Sequence, residues 1–257
     1  MVGPSQGKRV RWRWAAASAI GTSHIRSGER LQDAFVVSGI GKDHVLAIVC
    51  DGAGSAEFGA SGAWIACRFL SVRFREWLSK NTVPPADNIL ADWIDALRDE
   101  ISAIAKRRNL ASRQFAATLA AILISPDEVL AIHIGDSAVA ARHEAEWDVL
   151  CWPENGEYAS STYFLTDDPE PRLNITRQQR KYDAFALFSD GVGELALSHI
   201  DQAAFPKFLD PMVRPVDASP GIGRLPELSE KLGDYLAGDA VCERTDDDKT
   251  LILISGR

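Results

Sequence analysis

The stretch VLAIVCDGAGSAEFGASGA, running from Val45 to Ala63, decides how the chain folds. It opens with an apolar run, turns at Asp51-Gly52, and passes into a segment whose small and large apolar residues recur three and four apart. Ala63, Ala66, Cys67, Leu70 and Phe74 continue that spacing and predict a helix over Gly59–Leu78. A short unbroken apolar run bounded by turn residues suits a strand covered on both faces. The run is His44 to Cys50, and four others resemble it: Thr118 to Ile124, Val129 to Ile134, Ala184 to Phe188 and Leu251 to Ile254.

Working outward, Ile89, Leu90, Trp93, Ile94, Leu97, Ile101 and Ile104 predict a second amphipathic helix over Asp87–Lys106, with Asp87 as its N-cap. Ser-Pro-Asp-Glu between the second and third apolar runs is turn chemistry and predicts a hairpin, hence antiparallel pairing. Hairpins placed before and after a helical pair, without strict strand-helix alternation, predict an α+β sandwich of antiparallel sheets flanked by helices. Cys151 to Pro171 is polar, proline-bearing and aperiodic, and is expected as a flap or irregular insertion at about 151–182 of a single domain, 1–257. The proline- and glycine-bearing stretch Asp210 to Pro226 is expected to link two C-terminal helices.

Composition narrows the functions. The chain has 257 residues, 46% of them hydrophobic and 25% charged, which supports a sizeable core and excludes disorder over most of its length. A formal charge of −8 disfavours non-specific nucleic-acid binding, since a phosphate backbone meets a repulsive average surface. Trp12 and Trp14, alternating with Arg11 and Arg13, are the one place where a base-stacking platform is conceivable, and the same alternation fits an edge strand better. Cys50, Cys67, Cys151 and Cys242 lie far apart with no CxxC pair, which points to reduced thiols rather than a disulfide framework or a zinc site. No secretory leader or membrane-spanning run is seen, so a cytoplasmic protein with no membrane partner is expected.

The aspartates carry the chemistry. Asp51, Asp136 and Asp190 each follow an apolar strand, Asp247 precedes the last one, and Asp33 precedes the apolar AFVV. A carboxylate at the end of a buried strand is costly unless a cation or hydrogen-bond donors compensate it. Taken singly, Asp-Gly after a strand is an ordinary turn; five such residues together suggest a shared cation. All-oxygen ligation favours hard divalent ions, Mg²⁺ or Mn²⁺, over zinc.

On these residues the chain resembles a known family. QDAF (Gln32–Phe35), VLAIVCDGAGSAEFGASGA from Val45, AATLAAILI from Ala116, IHIGDSAVAAR from Ile132, ALFSDGVGEL from Ala186 and DDKTLILI from Asp247 stand in the order of the motifs of PPM-type (type 2C) metal-dependent serine/threonine protein phosphatases. NGEYASSTYFLTDD from Asn155 is similar to the divergent bacterial branch. The resemblance implies a four-layer α-β-β-α sandwich with a binuclear Mn²⁺ or Mg²⁺ centre at one edge. It implies that Asp51 bridges the metals, that the Gly52 carbonyl binds one, that Asp190 and Asp247 complete the other shell, and that Asp33 acts through metal-bound water. Asp136 and Glu194 match the positions of a third, weaker ion. The reaction implied is hydrolysis of phosphoserine and phosphothreonine by direct attack of a metal-bridging hydroxide. Two cations about 3.5–4 Å apart can acidify that water and neutralise charge on the phosphoryl group. A phosphorylated protein, a cognate kinase system and a monomeric state are the implied partners and form.

Two departures matter. Where the family carries a phosphate-gripping arginine, this chain has Gly28, with Arg26 and Arg30 on either side and His24 upstream; Arg26 is the preferred substitute, then Arg30. Ala53 stands where some members have a proton-donating histidine. A small-phosphoester hydrolase and a non-catalytic module on the same fold are the competing readings. The full set of carboxylates argues against the second, and the absence of GxxxxGK[ST] argues against nucleotide use.

Overall fold

Residues 11–156 and 162–256 are described here from a computed structural model. In chain order the first elements are β1 (Trp12–Ala19), α1 (Thr22–Ser27), β2 (Ala34–Ile40), β3 (His44–Cys50), α2 (Gly59–Leu78) and α3 (Asp87–Arg107). A 3-10 turn (Ser112–Phe115) leads into β4 (Leu119–Ile124), β5 (Glu128–Ile134), β6 (Ala138–His143), β7 (Glu146–Cys151), β8 (Asn174–Gln179) and β9 (Ala184–Phe188). There follow α4 (Asp190–Ala196), the two-residue strands β10 (Leu197–Ser198) and β11 (Ala203–Ala204), and α5 (Pro206–Ala218). Last come β12 (Gly223–Arg224), α6 (Pro226–Ala237), α7 (Asp239–Cys242) and β13 (Lys249–Gly256).

One sheet has the order β12-β1-β13-β9-β6-β7 and the other β2-β3-β4-β5-β8. Every pairing is antiparallel except the short β1–β12 contact. The β4–β5 hairpin predicted from Ser-Pro-Asp-Glu is present, with Ile124 opposite Val129. Side-chain alternation divides each strand between two cores. From β3, Leu46, Ile48 and Cys50 pack with Leu70, Phe74, Leu90 and Ile94 of α2 and α3. Val45, Ala47 and Val49 point the other way, into a core shared with Val139, Leu187, Ile252 and Ile254 of the facing sheet. The alanine-rich outer face of that sheet, Ala15, Ala17, Ala140 and Ala186, lies against Leu209, Val213, Leu232 and Leu236 of α5 and α6. These three cores define four layers, helix, sheet, sheet and helix, so strands in antiparallel sheets read as continuous apolar runs because both faces are covered.

Some expectations are corrected. Ala86, not Asp87, holds the N-cap position of α3. Asp87 sits one residue inside and accepts a 2.8 Å hydrogen bond from Arg177 Nε of β8. Residues 174–179 of the expected flap form β8, paired residue for residue with β5, so they belong to the sheet. The stretch 210–226 is helical as far as Ala218: Pro211 and Pro215 lie inside α5. Both are exposed, on the face opposite buried Leu209, Val213 and Val216, where the carbonyls they fail to pair are open to water. In agreement with the strand reading of the Arg-Trp alternation, Trp12 lies in β1, buried beside Phe185 with ring centroids 5.8 Å apart, and offers no stacking platform. Residues 157–161 of the NGEYASSTYFLTDD resemblance lie outside the described residues. Among the described residues, no helix is long and apolar enough to cross a membrane.

Candidate metal centre and active site

The two sheets open at a common edge, and the strand-end aspartates meet there. Asp51 follows β3, Asp136 lies in the β5–β6 turn, and Asp190 begins α4 after β9. One ligand atom from each lies within 4.8 Å of the others. Close backbone packing makes this possible. A Cβ on Gly52 would stand 2.4 Å from the Gly59 carbonyl carbon, and one on Gly191 would stand 2.0 Å from the Asp248 carbonyl oxygen, so each strand end approaches its neighbour only through glycine. Thr118, the residue before β4, fixes Asp51: its amide donates to the Asp51 carbonyl at 2.8 Å and its hydroxyl accepts from the Asp51 amide at 3.1 Å.

Three carboxylates in one place repel one another. Burial, and then the charges of Asp33, Asp190, Asp136 and Asp247, hold the Asp51 carboxyl well above the usual carboxylate range. Burial followed by the Asp136 and Asp247 charges pushes Asp190 up to about 7, and burial also raises Asp136. Asp33 reaches about 6, chiefly through burial, although its Oδ2 accepts 2.7 Å hydrogen bonds from Ser189 Oγ and Thr250 Oγ1. Asp33 Oδ1, Asp136 Oδ1 and Asp190 Oδ1 are buried oxygens with no hydrogen-bond partner. Crowded acceptors without donors are the arrangement a hard cation compensates. The donor set therefore fits a divalent ion.

The neighbouring pair Asp247-Asp248 divides its work. Asp248 is buried, and its carboxylate accepts from the Gly21 amide at 2.6 Å and the Gln32 amide at 2.5 Å, with His24 Nδ1 at 3.0 Å. Those contacts commit both oxygens to holding the chain. Asp247 is exposed and faces the cleft. Gln32, with its amide oriented to satisfy both ends, donates to the Gly52 and Ala53 carbonyls at 3.0 and 3.2 Å. Glu194 faces the cleft from α4, largely exposed, with Oε1 3.8 Å from His199 Nε2.

The cleft over these aspartates has a volume of about 1660 Å³. Neither Arg26 nor Arg30 lines it. The Arg26 guanidinium is held at 2.9 Å by Asp246, which itself lines the cleft, and Arg30 lines a separate groove. Gly28, at φ 76°, caps α1 in the left-handed conformation, after which Glu29 lines the cleft and Arg30 the groove. The cations that do line the cleft are Arg113, Arg172 and Arg244. Arg172 is engaged with Glu154 at 3.0 Å and lies over the Tyr163 ring, whereas Arg113 and Arg244 are exposed. Sequence reasoning missed them because they stand on turns brought in from distant parts of the chain. Arg98 of α3 was also missed: it donates to the carbonyls of Leu165, Asp167 and Pro169 at 3.2, 2.6 and 3.0 Å, clasping the segment that forms one wall.

Comparison with known proteins agrees with this architecture. The family model described as protein phosphatase 2C matches residues 20–237. The chain is 33% identical to serine/threonine-protein phosphatase 3 of Escherichia coli (strain K12) over 247 residues, covering 94% of this chain and 97% of that one. Among solved structures, a bacterial serine phosphatase superposes with a TM-score of 0.67 at 16% identity, covering 94% of this chain and 96% of the other. The serine/threonine phosphatase Stp1 from Staphylococcus aureus gives 0.66 at 15% identity, covering 99% of each chain. The catalytic domain of PstP, solved with two manganese ions, gives 0.62 at 19% identity, covering 96% of this chain and 99% of that one. With its family model spanning most of its length and a full-length relative at this identity, the chain belongs to the protein phosphatase 2C family.

Proposed function

We propose that the chain, acting as one domain, is a metal-dependent phosphatase that removes phosphate from phosphoserine and phosphothreonine in proteins. The observation that carries this reading is the meeting of Asp51, Asp136 and Asp190 in an open cleft, where Asp136 and Asp190 each keep a buried, unpartnered oxygen. Asp51, Asp190, Asp247 and the Gly52 carbonyl would hold two ions, Mn²⁺ or Mg²⁺, and Asp136 with Glu194 would hold a third more weakly. When bound, such ions supply an activated water and neutralise charge on the phosphoryl oxygens. Asp33, fixed at Oδ2 by Ser189 and Thr250, presents Oδ1 to orient water. Arg113 and Arg244 meet the substrate phosphate in place of Arg26 and Arg30.

The volume of the cleft, about 1660 Å³, supports a polypeptide substrate over a small phosphoester, because it has room for a phosphorylated side chain and part of its backbone. Such a substrate is the product of a protein kinase, and a cytoplasmic setting supplies both. The test is hydrolysis of nitrophenyl phosphate and of a phosphoserine and phosphothreonine peptide panel by purified protein, with EDTA and then with added Mn²⁺ or Mg²⁺. Equal rates with chelator and with metal would sink the reading.

A further inference from the structure

Beside the acidic cleft lies a groove of about 520 Å³ with the opposite character. Arg30, Arg107 and Arg108 line it together with Trp64, Ile104 and Phe115. Among the described residues none of its lining is acidic, and no carboxylate pairs with Arg30 or Arg107. Three guanidiniums gathered without counter-charges run against a chain whose net charge is −8. Arg108 lies 5.4 Å from the Phe58 ring centroid and 5.9 Å from that of Phe115, which holds its planar head at the surface. Trp64 of the long helix α2 is 55% exposed, with the Arg68 guanidinium 5.3 Å from its ring centroid, so an aromatic surface remains open beside the arginines.

The groove and the cleft share a wall. Glu29 faces the cleft while Arg30 faces the groove, and Arg113 faces the cleft while Phe115 faces the groove. A polypeptide with its phosphorylated residue in the cleft reaches the groove within a few residues, at about 3.3–3.6 Å per extended residue. We propose that this groove docks an acidic segment flanking the phosphoserine or phosphothreonine of the substrate, and so selects among phosphoproteins; the proposal rests on the phosphatase reading above. Carboxylates pair with the guanidiniums, and the flanking backbone or an apolar side chain covers Trp64.

Two phosphothreonine peptides with one common core, flanked by Asp and Glu or by Asn and Gln, test it. With the wild-type protein the acidic-flank peptide should have a kcat/KM about tenfold higher, and salt should reduce that ratio. In Arg107→Glu the ratio should fall to about one; Arg107→Gln, a milder change at the surface, should lower it partway. Rates are normalised to nitrophenyl phosphate, which is too small to span both cavities. Equal kcat/KM in the wild-type protein, or a ratio that survives both variants, would overturn the proposal. If no phosphoester is hydrolysed, the phosphatase reading fails and fluorescence anisotropy of the labelled acidic peptide decides the docking alone. Binding that is lost in Arg107→Glu sustains it; no binding, or equal binding of an oligonucleotide, overturns it.

Discussion

The cleft and the groove stand on either side of one short wall, and their linings differ in sign. The cleft gathers carboxylates that burial and mutual repulsion hold above their usual range, while the groove gathers guanidiniums with few carboxylates to meet them. Each is electrostatically incomplete in the opposite sense, and a phosphorylated acidic polypeptide with bound cations completes both at once. The difference teaches that the same unpaired charge that weakens a fold marks where it expects company.

The strongest way to break this contrast is to empty the cleft of its acids. Asp51→Ala and Asp190→Ala should each lower kcat on nitrophenyl phosphate by about 10³-fold or more, as loss of a group that acts with others as a unit does. The metal-free variants should melt no lower than the metal-free parent, because like-charge repulsion is relieved. Loss of folding in both would instead assign the cluster a structural role.

A second test uses pH. Asp190 moves from its ordinary 3.8 to about 7 in the folded chain, so the folded state binds its proton more tightly than the unfolded state. Its contribution is fully present below about pH 4 and is lost as pH rises through about 7, a loss on the order of 4 kcal/mol. In EDTA, thermal melting should therefore fall across that window. Asp190→Asn should flatten the decline, and saturating Mn²⁺ should offset it; a flat profile in the chelated parent would refute the assignment.

Smaller effects sharpen the boundary between the two cavities. Arg113→Ala and Arg244→Ala should raise KM for a phosphopeptide about tenfold without changing metal affinity, whereas Arg26→Ala should change it less than about twofold. Fluorescence or calorimetric metal titration separates the two effects, and an Arg26 effect as large as that of Arg113 would return the phosphate grip to the α1 end. Arg98→Ala removes three hydrogen bonds to carbonyls, each worth about 0.5–1.5 kcal/mol. Faster amide hydrogen exchange around Leu165 and Asp167 should report it, and unchanged exchange would show that the wall holds without its clasp.

How much of this could be read from the chain depends on what fixes each part. His44–Cys50, Ala184–Phe188 and Gly59–Leu78 agree with the structure at both ends because covered strands and long amphipathic helices write their burial into every residue. The β6–β7 hairpin escaped notice: its turn uses Glu144 and Ala145 at φ 51° and 69°, where glycine or asparagine would have announced it. Of β1 only the Arg-Trp alternation at its start reads as a strand; the rest does not, since small alanines facing α6 carry little apolar signal. At the site, the meeting of the aspartates was legible because each one terminates or begins a strand. The placement of the arginines was not, since one left-handed glycine at position 28 decides which cavity Arg30 enters.

The pairing of β1 with β13, from Trp12 opposite Gly256 to Ala19 opposite Lys249, has a consequence for how the protein is made. β13 is the strand that joins β1 to β9, and Asp247 and Asp248 immediately precede it. While residues 247–256 are still inside the ribosome, the first sheet lacks its middle strand and the loop at Gly21 and Gln32 lacks the carboxylate that anchors it. A nascent chain can thus assemble β2–β5 on α2 and α3 before β13 emerges, while the first sheet and the anchoring of Gly21 and Gln32 wait for residues 247–256.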